Sequence, residues 1–419
     1  MRLSPQLGTV DRGHVIRLDP TIKQAQALAK ATGVSRFTYN WALAAWNQSY
    51  ERGEKPSASV LKKQWNAIKE EQFPWVMESP RDANSQPFAD LGRAFSNFFK
   101  SCSGKRKGRK VGHPTFRKKG QHDAFYVAND KFEVRKCGKR AVVRLPVIGN
   151  VKAFESLRFQ GKVLSGRVFL QAGQWFLSVA VETRVETPRV FDHPIVGVDL
   201  GLKTAVVTSH GDLLDGPKPL KAALKHLRRA NRRLHRRKKG GCNRRKAQLQ
   251  VARIHQRVAN IRKDFLHKTT SKICRENQVV VIEDLNVTGM CLNRRLSRAI
   301  SDVGMGTFRS LCEYKAASRV VVADRWFPSS KRCSGCGNVK SDLGLSERIY
   351  HCEACGLVMD RDLNASLNLS QYPLLEGNWG RVTQTSTETV ASTRKAKAGW
   401  ASSVVDVETK PEDSLVLTN

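Results

Sequence analysis

The chain has 419 residues, enough for more than one domain with a hydrophobic core, and sets 73 Lys and Arg against 37 Asp and Glu. The resulting formal charge of +36 exceeds what solubility requires and points to a polyanionic partner, nucleic acid first and an anionic membrane second. No apolar run approaches the roughly 20 residues of a membrane span, and the first residues lack a signal-peptide core, so a cytoplasmic protein with no membrane partner is expected.

In chain order, the segment through His14-Val15-Ile16-Arg17-Leu18 reads as a strand closed by Asp19-Pro20, with Thr21 placed to cap a helix. Helical periods then run to about Lys100. Val34, Phe37, Trp41 and Ala45 share one face, Leu61, Trp65 and Ile68 another, and Phe88, Leu91, Phe95 and Phe98 a third. These aromatic stripes read as a helical core rather than as platforms for bases. A glycine-laced basic stretch follows, with Lys105, Arg106, Lys107, Arg109 and Lys110, then Arg117 and Lys118; beside the overall charge it reads as phosphate-contacting. Residues from Asp123 to about Glu186 read as short β-strands, including Trp175, Leu177, Val179 and Val181 alternating with polar positions, and suggest a small barrel or curled sheet.

Ile195 to Asp199 reads as a buried strand ending in a carboxylate, followed by a hairpin turning near His210-Gly211-Asp212. Gln278 to Glu283 repeats the pattern of apolar strand then acid. Asp360 and Asp362 open a final helical stretch. Between the two acid-ended strands, 11 of the 21 residues from His226 to Lys246 are Lys or Arg and none is acidic. Leu220, Leu224, Leu227, Asn231 and Leu234 step by four and three, as do Ala247, Val251, Ile254, Val258, Ile261 and Phe265, with Gly240-Gly241 between the two series. That spacing predicts an antiparallel helical hairpin with Arg228, Arg229, Arg232, Arg233, Arg236 and Arg237 on its outer faces, a density that self-repels without phosphate. Gly304 to Ala317 reads as a helix feeding a strand at 319–323.

Of ten cysteines, six are scattered as packing thiols of a reducing compartment would be. The other four, Cys333, Cys336, Cys352 and Cys355, form two C-x2-C pairs with 15 residues between them, the spacing of a structural tetrahedral Zn²⁺. Asp199, Glu283 and Asp362, at two strand ends and a helix start, suit a divalent-metal site. Three carboxylates and a scissile phosphodiester carry about four negative charges, which two Mg²⁺ would balance.

The order of hairpin, basic helix pair, acid-ended strand, helix and strand resembles an RNase H-like fold. GVDLG at 197–201, IEDLN at 282–286, SSKRCSGCG at 329–337 and DRDLNAS at 360–366 resemble the RuvC and zinc-finger motifs of TnpB. That family comprises transposon-encoded RNA-guided DNA endonucleases related to type V CRISPR effectors. IRLDPTIKQ, GVSRFTYNWAL, FPWV, DLGRAFSNFFK, GHPTFRKKG and LPVIGNVK agree with it, so the likeness spans about residues 14–372.

The resemblance implies an α/β multidomain chain. Its parts would be a β-barrel wedge domain (1–20 and 120–190), a helical recognition lobe (21–119) and an RNase H-like RuvC nuclease domain (191–328) carrying the basic hairpin (218–277). A four-cysteine zinc ribbon (329–357), a final RuvC helix (358–372) and a disordered tail (373–419) would complete it. By the same resemblance Asp199, Glu283 and Asp362 are the catalytic acids, with Asp360 the substitute for Asp362. The implied cofactors are two catalytic Mg²⁺, with Mn²⁺ as the alternative, and one structural Zn²⁺. The implied partners are a transposon-derived guide RNA and target double-stranded DNA bearing a short flanking motif. The competing readings are an RNA-guided repressor, against which the three acids argue, and a DNA transposase, for which no strand-transfer feature is present.

Overall fold

The computed structural model describes residues 9–375 except 107, 139, 185–190, 317–318 and 345. The chain divides into two compact units between Glu186 and Thr187.

The first unit opens with strand β1 (Thr9–Asp19). Thr21 then starts helix α1 (Ile22–Glu51) through a reciprocal cap: its hydroxyl accepts from the Gln24 N–H, and the Gln24 side chain accepts from the Thr21 N–H. Helices α2 (Ala58–Gln72) and α3 (Arg81–Cys102) follow. The aromatic stripes are the core of this helical part. Trp65, Phe88 and Phe95 are buried, Trp41 and Phe37 lie 5.0 and 6.1 Å from Trp65, and Trp46 stacks on Phe95 at 4.1 Å.

Strands β2 (Ala124–Ala128), β3 (Glu133–Cys137), β4 (Arg140–Leu145), β5 (Gly149–Ala153), β6 (Lys162–Gln171) and β7 (Gln174–Arg184) complete the unit. With β1 they form one antiparallel sheet in the order β2-β6-β7-β1-β5-β4-β3. The expected alternation holds on β7, where Trp175, Leu177, Val179 and Val181 are buried. Ala172 and Gly173 both take positive φ, the turn chemistry of a tight hairpin. Among the described residues the two outer strands of this order, β2 and β3, are not hydrogen-bonded to each other. The short turn at Asn129–Lys131 joins them directly, and so short a connection cannot span the roughly 29 Å between the edges of a flat seven-stranded sheet, so the sheet is curled back on itself as expected.

The second unit contains β8 (His193–Asp199), β9 (Val206–Thr208), β10 (Leu213–Leu214), α4 (Pro219–His235), α5 (Cys242–Glu276), β11 (Asn277–Glu283), α6 (Val287–Met290) and α7 (Ser297–Val303). Next come α8 (Met305–Ala316), β12 (Val320–Ala323), β13 (Ile349–His351), β14 (Val358–Asp360) and α9 (Arg361–Leu375). The main sheet has the order β10-β9-β8-β11-β12; β8, β11 and β12 are parallel, and β9 and β10 return antiparallel. Both faces of β11 are covered. Val280 and Ile282 join Leu266, Ile273 and Phe308 from α5 and α8, whereas Val279 and Val281 meet Leu369 of α9. Two-sided burial is why that strand reads as an unbroken apolar run.

Helices α4 and α5 form the expected hairpin, turning at Gly240, whose φ is +82°. Arg244 donates from α5 to the carbonyls of Leu234 and Arg237, closing the C-terminal end of α4. The seam departs from the expected series at Ile261, which is 39% exposed. From there α5 runs on to Glu276 and buries Leu266 and Ile273 against the sheet instead. Buried Asp302 accepts from the N–H groups of Leu220 and Lys221 at 2.9 and 3.0 Å and pairs with Arg262, anchoring the start of α4. At the other end α9 continues through Pro373 to Leu375, past the expected start of the tail, whose remainder lies outside the described residues.

Candidate functional site

Parallel pairing sets Val198 of β8 opposite Ile282 of β11, so Asp199 and Glu283 follow at the same carboxyl end of neighbouring strands. Helix α9 brings the third acid, with Asp362 in its first turn. It can lie so close to β8 because Gly197 has no side chain. A Cβ there would stand 2.0 Å from the Ser366 carbonyl oxygen and 2.5 Å from the Ser370 nitrogen. The three carboxylates feel one another. Asp199 is pushed up to about 8, first by burial and then by the charges of Glu283 and Asp362.

Each acid has distinct neighbours. The Ser329 hydroxyl donates to the Glu283 carboxylate. Asp362 stands 3.8 Å from Arg348 and 3.6 Å from Arg361, beyond hydrogen-bonding distance. Asp360 is an N-cap: its Oδ1 accepts from the N–H groups of Asp362 at 2.8 Å and Leu363 at 3.1 Å. Asp284, beside Glu283, is gripped by Arg309 and Arg325 at 2.6 Å each, and these guanidinium groups, Arg309 foremost, hold its carboxyl below the usual range.

Sequence reasoning passed over the residues that tie the acids together. Buried Asn364 and Asn368 on α9 donate to the carbonyls of Arg332 and Ser329, and Asn364 also accepts from the Ser334 N–H. They staple residues 329–334 to the helix, and that holds Ser329 against Glu283. Two asparagines four apart on the inner face of a helix were the available signal, since buried amides require partners. Gly197 within an apolar strand was another, because such a glycine marks close backbone approach.

The four cysteine side chains converge. Sγ of Cys333 lies 3.6 Å from that of Cys355, Sγ of Cys336 lies 3.6 Å from that of Cys352, and all four fall within 4.8 Å of one another. A tetrahedron with Zn–S bonds of about 2.3 Å has edges near 3.8 Å, so the set is sized to hold Zn²⁺. The two knuckles match: Gly337 N–H donates to Cys333 O and Gly356 N–H to Cys352 O, each glycine at positive φ. Tyr350 is fully buried beside them, and its hydroxyl donates to the Lys331 carbonyl.

The basic candidates divide. Arg228, Arg229, Arg232, Arg233, Arg236 and Arg237 are all exposed on α4 and its end, and five of them line a groove of about 510 Å³. Lys105, Arg106, Arg109, Lys110 and Lys118 are exposed in the first unit. Lys107 lies outside the described residues. Arg117 differs in being packed against the helical part. Its guanidinium sits 3.7 Å above the Tyr39 ring and 3.5 Å from Asp90, and its backbone exchanges two hydrogen bonds with the Asn40 side chain. It fastens the basic loop to the helical core, and burial lowers its pKa despite Asp90.

A protein of Streptomyces pristinaespiralis, provisionally named an RNA-guided DNA endonuclease, is 35% identical over 86% of this chain and 89% of its own length. The chain belongs to the TnpB family. TnpB relatives with the same provisional name occur in Mycobacterium tuberculosis, at 32% identity over 85% of both chains, and in Escherichia coli K12, at 30% over 84% of this chain and 90% of the relative. The profile described as "Probable transposase" (OrfB of IS605) matches residues 178–294 and so contains Asp199 and Glu283. The Cas12f1-like TNB domain profile matches 306–369, spanning the four cysteines and Asp362. A helix-turn-helix profile matches 10–55, where this TnpB relative has a strand and one unbroken 30-residue helix. The fold resembles that of Cas12f1 in a cryo-EM structure of its complex with sgRNA and target DNA, with a TM-score of 0.54 at 12% identity, covering 86% of this chain and 99% of that one.

Proposed function

We propose that this chain is an RNA-guided DNA endonuclease of a transposable element that hydrolyses phosphodiester bonds in DNA matched to its guide. The observation that carries the reading is the set of acids brought to one end of the main sheet. Asp199 is raised to about 8 by burial and by its two acidic neighbours, which marks a site short of positive charge. The sheet supports it too: three strands in an antiparallel meander followed by two parallel ones is the order of an RNase H-like, RuvC-type nuclease domain.

Asp199, Glu283 and Asp362 would hold two Mg²⁺, with Mn²⁺ as the alternative. Such a pair supplies activation of water and stabilisation of the departing 3′ oxygen. The chain's own part is positional. β8 and β11 fix two acids in register, α9 sets the third through the Gly197 contact, and the Ser329 hydroxyl orients Glu283. The four cysteines would hold one structural Zn²⁺, bracing the segment that carries Ser329. The arginine groove of α4 and the exposed lysines and arginines of the basic loop would take phosphates of guide RNA and target DNA, with sequence supplied by base pairing.

The test is incubation of the protein and its co-purified RNA with Mg²⁺ and DNA containing the guide-matched site. Wild type should cut without joining ends, and Asp199→Ala, Glu283→Ala and Asp362→Ala should each abolish cutting while retaining nucleic acid. Cutting at the same site by RNA-free protein, or joined products, would overturn the reading.

A further inference from the structure

The loop after β12 carries a tryptophan whose ring packs against no other ring among the described residues. Trp326 is 85% exposed, although its backbone is held on both sides. Its N–H donates to Asp324 Oδ1 at 2.8 Å, and the Phe327 N–H donates to the Asp324 carbonyl at 3.1 Å. The Asp324 N–H in turn donates to the Tyr372 hydroxyl, and the Phe327 ring packs edge-on against Tyr372 at 4.9 Å. The backbone is pinned to α9 while the indole stands in solvent beside a cavity of about 370 Å³ lined by Asp284, Val322, Ala323, Asp324, Arg325 and Trp326.

The position of this loop is informative. β12 runs parallel to β11 with Ala323 opposite Glu283, so the loop leaves the sheet at the edge where the acids lie. Two strand spacings, about 10 Å, separate β12 from β8 and its Asp199. Three residues after Trp326, Ser329 contacts Glu283.

We propose that Trp326 is a stacking platform for one unpaired base of a single DNA strand entering the acidic site. Every base has an aromatic face, but in a duplex neighbouring pairs cover it, so an isolated ring in solvent selects an unpaired base. The surroundings fit nucleic acid better than a protein partner. Besides Val322 and Ala323, its neighbours in the cavity are charged, the Asp284–Arg325 ion pair and Asp324, rather than the broad apolar patch of a protein interface. Stacking would fix the strand relative to the acids, making Trp326 a positioning residue.

The placement of DNA rests on the endonuclease reading, so the assay is chosen not to need cleavage. Guide-loaded, target-bound protein carrying Asp199→Ala is titrated with fluorescent single-stranded oligodeoxynucleotides in which one position at a time is abasic. With Trp326 present, one abasic position should weaken binding by about 5- to 150-fold, the range of a base–aromatic stack. In Trp326→Ala the intact strand should bind weaker by a similar factor, and removal of that base should then cost nothing further. Trp326→Phe should restore the sensitivity and Trp326→Leu should not. A mostly exposed ring can be replaced without unfolding, which circular dichroism checks. The inference is overturned if Trp326→Ala leaves binding unchanged, if it keeps the same abasic sensitivity, or if Leu serves as well as Phe. Failure of the endonuclease reading would appear separately, as wild-type protein that does not cut the guide-matched DNA, cuts it equally without RNA, or joins the ends.

Discussion

Gly197→Ala tests how the site is assembled, because the added methyl points into the backbone of α9. The Ser366 carbonyl would have to retreat from 2.0 Å to the ordinary contact distance of about 3.4 Å, and the Ser370 nitrogen from 2.5 Å. Neither atom can rotate away as a side-chain end could, so the helix must shift by about 1 Å or more. Overpacking of this kind costs about 1–3 kcal/mol, and in a unit of this size each kcal/mol lowers Tm by about 2–4 °C. Asp362 rides on that helix while Asp199 stays on the strand. A misplacement of about 1 Å among reacting groups can slow a reaction by about 10²-fold. Single-turnover cleavage should therefore fall by about that factor while guide RNA is retained. Gly13→Ala on β1 is the matched control, since a Cβ there meets nothing within 4 Å, and it should cut as wild type does. Wild-type cleavage by Gly197→Ala, or equal losses in both variants, would refute the argument.

Asp362→Ala should abolish cleavage, whereas Asp360→Ala should lose one helix cap, about 0.5–2 kcal/mol, and keep measurable cutting; the two rates at saturating Mg²⁺ decide between them. Removing zinc with a chelator, or Cys352→Ala, should raise the protease sensitivity of residues 329–357 and also slow cleavage, because the same segment carries Ser329. Metal analysis showing no zinc in purified protein would refute this. For Asp199, raised from an ordinary value near 4 to about 8, the folded metal-free protein keeps a proton that the unfolded chain releases. Its contribution is thus fully present below about pH 4 and lost as pH rises through about 8. Melting of chelator-treated protein should show the decline across that window, and Asp199→Asn should flatten it. Gln at Arg232, Arg236 and Arg237 together should weaken RNA retention and reduce its salt dependence with little change in Tm, since these exposed side chains line an open groove.

Periodicity and spacing made much of this architecture legible. Alternation marked β7, two-sided burial marked β11, the four-three steps marked the hairpin, and paired cysteines marked the sulfur cluster. What escaped depends on contacts distant in sequence. Arg117 looks like its basic neighbours until α1 and α3 bring Tyr39 and Asp90 against it. The strand order of the first sheet follows from which strands pair, and alternating apolar residues do not encode partner choice. Ile261 continues the seam pattern faithfully, but α5 has by then begun to face the sheet.

The acids show how chemistry separates from scaffolding where composition cannot. Two pairs of near neighbours, Glu283 with Asp284 and Asp360 with Asp362, look equivalent in the chain. In the fold, one member of each is satisfied by the protein. Asp284 has two guanidinium groups at 2.6 Å, and Asp360 has two backbone N–H groups of α9. The other member is left facing acids: Glu283 and Asp362 both push Asp199 upward, and the arginines nearest Asp362 stand farther off than a hydrogen bond. Carboxylates already compensated hold the strand ends and the helix start in place. Glu283 and Asp362, which act on Asp199 across the site, gain most from a cation that the chain does not itself supply.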